Sequence, residues 1–137
     1  MCGMNVERPV AGFSLPELLV VLAVLAILSA IAWPSYQDSV HKSRRADARV
    51  ALLQAALLLE RCQTVHQRYT HPDCAIPTQS PSGFYRITEP GQRGAHTYRL
   101  RATPIGVQGA DAKACGFFEL DQTGQRASSG SAGSACW

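Results

Sequence analysis

The spacing of hydrophobic positions changes twice along the chain. From Leu18 to Trp33 every residue except Ser29 is apolar, a run with no polar face at helical or strand periodicity. From Ser39 the pattern turns amphipathic. Val50, Leu53 and Leu57 recur at helical spacing, while Asp47, Gln54 and Arg61 follow one another on a polar stripe. Ala46, Ala48, Ala51, Ala55 and Ala56 add intrinsic helix preference and are small enough to let a sheet approach. These patterns predict one helix from Phe13 to about Gln63, about 75 Å long at 1.5 Å per residue.

Beyond Thr70 the period shortens, and prolines and glycines from Pro72 to Gly109 cut the chain into short pieces. Phe84 to Glu89 reads as a strand. Thr97 to Thr103 alternates, with Tyr98, Leu100 and Ala102 on one face and Arg99 and Arg101 on the other. Pro90 to Gly94 forms the turn between them. Gly116 to Leu120 gives a third strand, which Asp121 to Gly124 turns toward a short fourth. The predicted class is α+β: a long N-terminal helix packed on a small antiparallel meander. The expected divisions are an N-terminal segment 1–12, an apolar helix half 13–40, an amphipathic half 41–69 and a head 70–137.

From Phe13 to Trp33 there are 21 residues, with Ser14, Glu17 and Ser29 the polar ones. A helix of about 20 residues spans a bilayer core, and a domain this small offers too little surface to cover a segment apolar on every side. A secretory signal is the rival, since Ala30-Ile31-Ala32 resembles a cleavage site and would release a soluble binding domain starting at Trp33. Glu17 separates the two readings. A comparable charge at mid-helix costs about 2.5 to 3.5 kcal/mol on insertion scales, and the released domain gives this carboxylate no task.

Composition changes little: the chain is 46% apolar and 17% charged with net charge +3, an ordinary folded protein. The cysteines say more. Cys2 precedes the apolar run and is expected to be a free thiol, while Cys62, Cys74, Cys115 and Cys136 follow it, an even set suited to two disulfides in an exported domain. Three pairings are open; the two local ones, Cys62 with Cys74 and Cys115 with Cys136, need the simplest topology. Cys62, His66, His71 and Cys74 also supply ligand types that zinc accepts. They lack a Cys-x-x-Cys knuckle, so disulfides are expected in place of a metal site.

The stretch Gly12-Phe13-Ser14-Leu15-Pro16-Glu17-Leu18-Leu19-Val20-Val21 resembles the cleavage motif of type IV prepilins. The resemblance implies that residues 1–12, with Arg8 as their basic residue, are a leader. A prepilin peptidase then cuts after Gly12 and methylates the new amine of Phe13. It also implies that Glu17 pairs with the Phe13 amine of a neighbouring subunit in the filament core. Pro16 falls in the first helical turn, where its missing N–H costs nothing. Pro34 is expected to kink or locally melt the helix. Charge counting opposes the implied orientation, because Lys42, Arg44, Arg45 and Arg49 follow the span and Arg8 alone precedes it. The motif and the cysteines outweigh that tally.

Within the family, the Arg-Ala-Asp-Ala run at 45–48, the segment Tyr98 to Pro104 and the terminal Cys136-Trp137 are similar to PilE-type minor pilins. The resemblance implies a structural minor subunit that supports pilus assembly, twitching motility or adhesion. Its partners would be the peptidase, major and other minor pilins and the inner-membrane assembly platform. The subunit would sit in the inner membrane as a single-pass protein with a periplasmic head, and later in the pilus on the cell surface. It also implies that a disulfide from Cys115 to Cys136 pins the Ser/Gly-rich stretch 128–134 as an exposed recognition loop. A pseudopilin of type II secretion is the alternative, against which stand the C-terminal cysteine loop and the lack of a dense acidic cluster for calcium.

No nucleophile constellation or phosphate loop stands out, so no enzyme activity, cofactor or metal is expected. His41, His66, His71 and His96 read as surface histidines. The run Arg44 to Arg49 reads as a solvated face in which Arg45 and Arg49 pair intermittently with Asp47 or filament neighbours, with a phosphate or lipid head-group patch as the alternative. A stripe of Arg86, Arg99 and Arg101, joined by Arg93, offers weak support for nucleic-acid phosphates.

Overall fold

The computed structural model describes residues 12–137; the expectations for Cys2, Arg8 and the rest of the leader lie outside them. The chain divides into two compact units, with the boundary between Gln37 and Asp38. One helix, α1 (Leu15–His66), contributes to both.

In the first unit the residues of α1 are exposed throughout, including Leu18, Ile27 and Trp33. The melting expected at Pro34 is absent: α1 is continuous through it. Proline removes one backbone donor, and the rest of the i to i−4 ladder is enough to hold the helix together. Ser29 satisfies its hydroxyl on the Leu25 carbonyl one turn back at 2.7 Å, which is how a lone hydroxyl is carried in an apolar helix.

The second unit is a helix on a sheet. Strands β1 (Tyr85–Thr88), β2 (Arg99–Pro104), β3 (Phe118–Asp121) and β4 (Arg126–Ser128) form an antiparallel meander in the order β1-β2-β3-β4. Register places Ile87 opposite Ala102, Leu100 opposite Leu120 and Ala102 opposite Phe118, so one face is apolar throughout. Tyr85, Ile87, Leu100, Ala102, Phe118 and Leu120 share one core with Ala48, Ala51, Leu52, Ala55 and Leu59 of α1. The alternation read for Tyr98, Leu100 and Ala102 holds, and the strand limits shift by one or two residues.

The helix face differs from expectation. Val50, Leu53 and Leu57 are exposed, and the buried stripe is Ala48, Ala51, Leu52, Ala55 and Leu59. Alanines bring the helix axis close to the sheet, so the contact selects the small side chains and turns the larger ones away. The run Arg44 to Arg49 is also not a solvated face. Arg45 donates to both carboxylate oxygens of Asp111 at 2.7 and 2.6 Å, Arg44 stacks on Phe84 with 4.6 Å to the ring centre, and Asp47 accepts from the Ser82 N–H at 3.1 Å.

Between β2 and β3 a 3-10 segment, Gly106–Lys113, carries Gln108 into the core. Its amide donates to the Tyr85 hydroxyl at 3.1 Å and to Asp111 at 3.2 Å, while its carbonyl oxygen meets the His41 ring at 3.3 Å. The segment is thus tied to both helix and sheet.

Two disulfides close the head, Cys62 to Cys74 and Cys115 to Cys136. The Ser/Gly-rich stretch lies along residues 113–117, with Ser131 N–H on the Lys113 carbonyl, Ala132 N–H on that of Ala114 and Gly130 N–H on that of Cys115. Gly130 has to be glycine, because a Cβ there would meet the Ala114 carbonyl oxygen. The β1 edge of the sheet is occupied. Residues 78–80 bond to the outer side of β1, through Ile87 N–H to the Thr78 carbonyl and Ser80 N–H to the Tyr85 carbonyl. At β4 the Trp137 ring packs against Phe118 and its indole donates to the Ala127 carbonyl at 2.8 Å.

Candidate functional site

The cleavage-motif residues stand at the start of α1. Gly12 and Phe13 precede the helix, and Phe13 is 85% exposed. Ser14 occupies the N-cap position and Glu17 the third helical one, the spacing of a capping box. Glu17 turns back, one carboxylate oxygen 3.5 Å from both the backbone nitrogen and the hydroxyl of Ser14. Contacts of that length are weak, so its own helix end engages the carboxylate only loosely. Phe13, Glu17, Leu18 and Val21 line a shallow cavity of about 200 Å³. The capping relation of Ser14 to Glu17 is legible in the sequence as Ser-x-x-Glu, a signal that the cleavage motif overshadows.

The second region is the outer face of the meander. Arg86 and Arg99 project from it and are exposed. Arg101 is engaged: it donates to Glu119 at 2.7 and 2.8 Å and lies 4.0 Å from the centre of the Phe117 ring. Arg93 leaves the expected stripe altogether. It makes a bidentate pair with Glu89 at 2.7 Å for each bond and donates to the Tyr69 and Cys74 carbonyls, so it braces the loop ahead of β1. Beside Arg99, the β1–β2 connection and the β3–β4 turn enclose a cleft of about 340 Å³ lined by Gln92, Thr97, Tyr98, Asp121 and Gln122, among others. Gln122 is oriented by the Tyr98 N–H at 3.1 Å. Asp121 caps its own turn through Thr123 and Gln125, and the Thr123 hydroxyl bond above all lowers its pKa. The cleft therefore offers the Arg99 guanidinium, the Arg93–Glu89 ion pair, amides and the Asp121 carboxylate.

Near the C-terminal end of α1, Tyr69 and Tyr98 meet edge to face at 4.9 Å and both donate to the same Glu60 oxygen, at 2.8 and 3.2 Å. Burial first, then Glu60, raises the Tyr69 hydroxyl to about 12 and pushes Tyr98 higher. Burial likewise raises Tyr85 to about 12.

A helix long and apolar enough to cross a membrane, whose amphipathic part covers an antiparallel meander closed by a C-terminal disulfide, defines a type IV pilin. A model of the prokaryotic N-terminal methylation motif matches residues 8–33. The chain belongs to the family described as type IV minor pilin ComP, DNA uptake sequence receptor, whose model matches residues 34–119, more than half of its length.

Fimbrial protein Q of Moraxella bovis is 49% identical over 41 residues, 30% of this chain and 24% of that protein. Fimbrial protein EcpC of Eikenella corrodens is 51% identical over 37 residues, 27% of this chain and 24% of that protein. The matched stretch thus spans about a quarter of these relatives' length. The chain shares its fold with the non-core minor pilin PilV of Neisseria meningitidis, at a TM-score of 0.55 and 20% identity over 68% of this chain and 90% of that one.

Proposed function

We propose that this chain is a minor subunit of a type IV pilus whose head binds DNA. The observation that carries the subunit reading is the exposed apolar half of α1, which the methylation-motif match at residues 8–33 covers as far as Trp33. Such a surface is stable only in lipid or against other helices. Residues 1–12 act as the leader. A prepilin peptidase cuts after Gly12, where the absent side chain lets a protease reach the backbone, and methylates Phe13. The span 13–40 holds the subunit in the inner membrane with its head in the periplasm until assembly. In the filament, with major and other minor pilins as neighbours, Glu17 exchanges its loose contacts with Ser14 for the Phe13 amine of another subunit. That exchange pairs two charges which are each costly alone in an apolar core.

DNA binding rests on the family's description together with the outer sheet face. Arg86 and Arg99 supply phosphate contacts, and the amides of Gln92 and Gln122 lie beside Arg99 in a cleft open to a nucleic-acid backbone or groove. Two measurements test the reading. Intact mass of protein from its host membranes should show a chain starting at methylated Phe13; a chain starting at Trp33 would mean a secreted domain instead. Fluorescence anisotropy with duplex DNA should show salt-dependent binding, whose log-log slope falls by about 0.9 for each phosphate that Arg86→Ala or Arg99→Ala leaves unneutralised. Unchanged affinity in the double variant removes the outer face from the reading.

A further inference from the structure

The Cys62–Cys74 disulfide builds a second chemical feature beside itself. His66 is the last residue of α1, and Gln67 follows in the left-handed region at φ 57°, turning the chain back toward His71 and Asp73. The His66 and His71 rings lie face to face, centroids 3.6 Å apart and planes within 5°. Asp73 reaches both, its Oδ2 3.6 Å from His66 Nε2 and 3.5 Å from His71 Nδ1. One donor atom from each of the three residues lies within 4.8 Å of the others.

The cysteines are excluded as ligands, because their sulfurs are bonded to each other. What remains is a set of two imidazoles and a carboxylate, and we propose that His66, His71 and Asp73 form a site for a divalent first-row transition ion of the zinc type. Two imidazole nitrogens beside one carboxylate suit zinc or copper better than calcium or magnesium, which take oxygen ligands. The end of a long helix presents its negative pole there, which favours a cation.

The backbone that carries the site is held in place, while the two rings must turn out of their parallel stack to bind, because in-plane lone pairs of rings stacked 3.6 Å apart do not converge on one ion. The disulfide fixes the loop at one end, the Cys74 N–H bonds the His71 carbonyl at 2.9 Å, the Tyr69 N–H bonds the Ala95 carbonyl at 2.9 Å, and Arg93 holds the Tyr69 carbonyl at 3.0 Å. Ligand distances of about 2.0–2.2 Å require the donors to close by about 1 Å, within reach of side-chain rotation. Ligation through His71 Nδ1 replaces the 3.3 Å contact it now receives from the Asp73 N–H. Three protein ligands leave a coordination position for water or for a donor from another molecule.

The proposal does not depend on the pilus reading. Its test uses the full chain in detergent with disulfides intact, titrated with zinc by calorimetry and with cobalt as a visible-absorption probe. One ion per chain is expected, with a rise in melting temperature. His66→Ala and His71→Ala should each lower affinity by more than the roughly 10- to 100-fold that removing a merely supporting group costs, and Asp73→Asn should weaken it as well. His96→Gln, outside the cluster, should bind as the parent does. Binding that survives the His66→Ala/His71→Ala double variant, or no binding at micromolar zinc, overturns the proposal. In the unmodified protein, zinc should shift the ring resonances of both His66 and His71. Unshifted rings overturn it equally, without relying on any variant folding.

Discussion

Arg45 and Asp111, 66 positions apart, form a two-bond ion pair whose side chains are 15% and 7% exposed. The pair joins α1 to the 3-10 segment between β2 and β3, and the hydrogen bonds to Asp111 raise the pKa of the guanidinium further above its already high ordinary value. Asp111→Ala leaves that charge without its partner in a nearly dry position, and should cost about 3 kcal/mol or more. Replacing both residues together, as Arg45→Met with Asp111→Leu, should recover much of the loss. Chemical denaturation of the three variants checks this. A loss below about 1 kcal/mol in Asp111→Ala would show that the pair behaves as if solvent-exposed.

Alkali should unfold the head through its buried tyrosines. Their folded-state pKa values lie above the ordinary value of about 10, at about 12 for Tyr69 and Tyr85 and higher for Tyr98. A raised acid pKa contributes stability that is complete below the unfolded value. It is lost as pH climbs, because the unfolded chain releases its protons first. Melting temperature should hold to about pH 10 and fall progressively toward pH 12, with tyrosinate absorbance rising alongside unfolding. A flat profile across that interval would contradict the burial argument.

The Cys115–Cys136 bond closes a loop of 21 residues, for which chain entropy gives about 3 kcal/mol. Cys115→Ser with Cys136→Ser should lower stability by about that amount and expose 128–134 to limited proteolysis while leaving the β1–β2–β3 core folded. Resistance to protease in the double variant would mean that the hydrogen bonds along 113–117 hold the segment by themselves.

Val50, Leu53 and Leu57 form an exposed apolar stripe on α1, at 45%, 49% and 52% exposure. Leu53→Asp should change the stability of the isolated subunit by no more than about 0.5 kcal/mol, as for other surface positions. It should nevertheless reduce recovery of the protein in sheared pili, the outcome expected of a face that a neighbouring subunit covers. Normal recovery would assign the stripe to no interface.

The elements legible in the sequence were those carried by runs and alternation: the apolar span, the in-and-out pattern of β2, the turn at Asp121 to Gly124. The face of α1 was half legible: the approach of a sheet to Ala48, Ala51 and Ala55 was read from their size, but Val50, Leu53 and Leu57, which outweigh alanine in a hydrophobic pattern, turn out to face away. Arg45, Arg93 and Gln108 were beyond reach for another reason. Arg45 and Gln108 are placed by side chains distant in sequence, and Arg93, though paired with Glu89 nearby, by the distant Tyr69 and Cys74 carbonyls; a charged or amide residue looks alike in sequence whether it meets water or a buried partner. The approach of His66 to His71 was half visible in their spacing, and it took the left-handed Gln67 to bring the rings face to face.

The occupied β1 border of the sheet limits how this head can associate. A meander with a bare outer strand is open to recruitment of another chain's backbone, the route by which donor-strand fibres and amyloid extend. Here residues 78–80 already take the hydrogen bonds on the β1 side. Polymerisation by backbone ladder is thereby discouraged at that border, and contacts made there must use side chains, whose identity can vary without altering the fold.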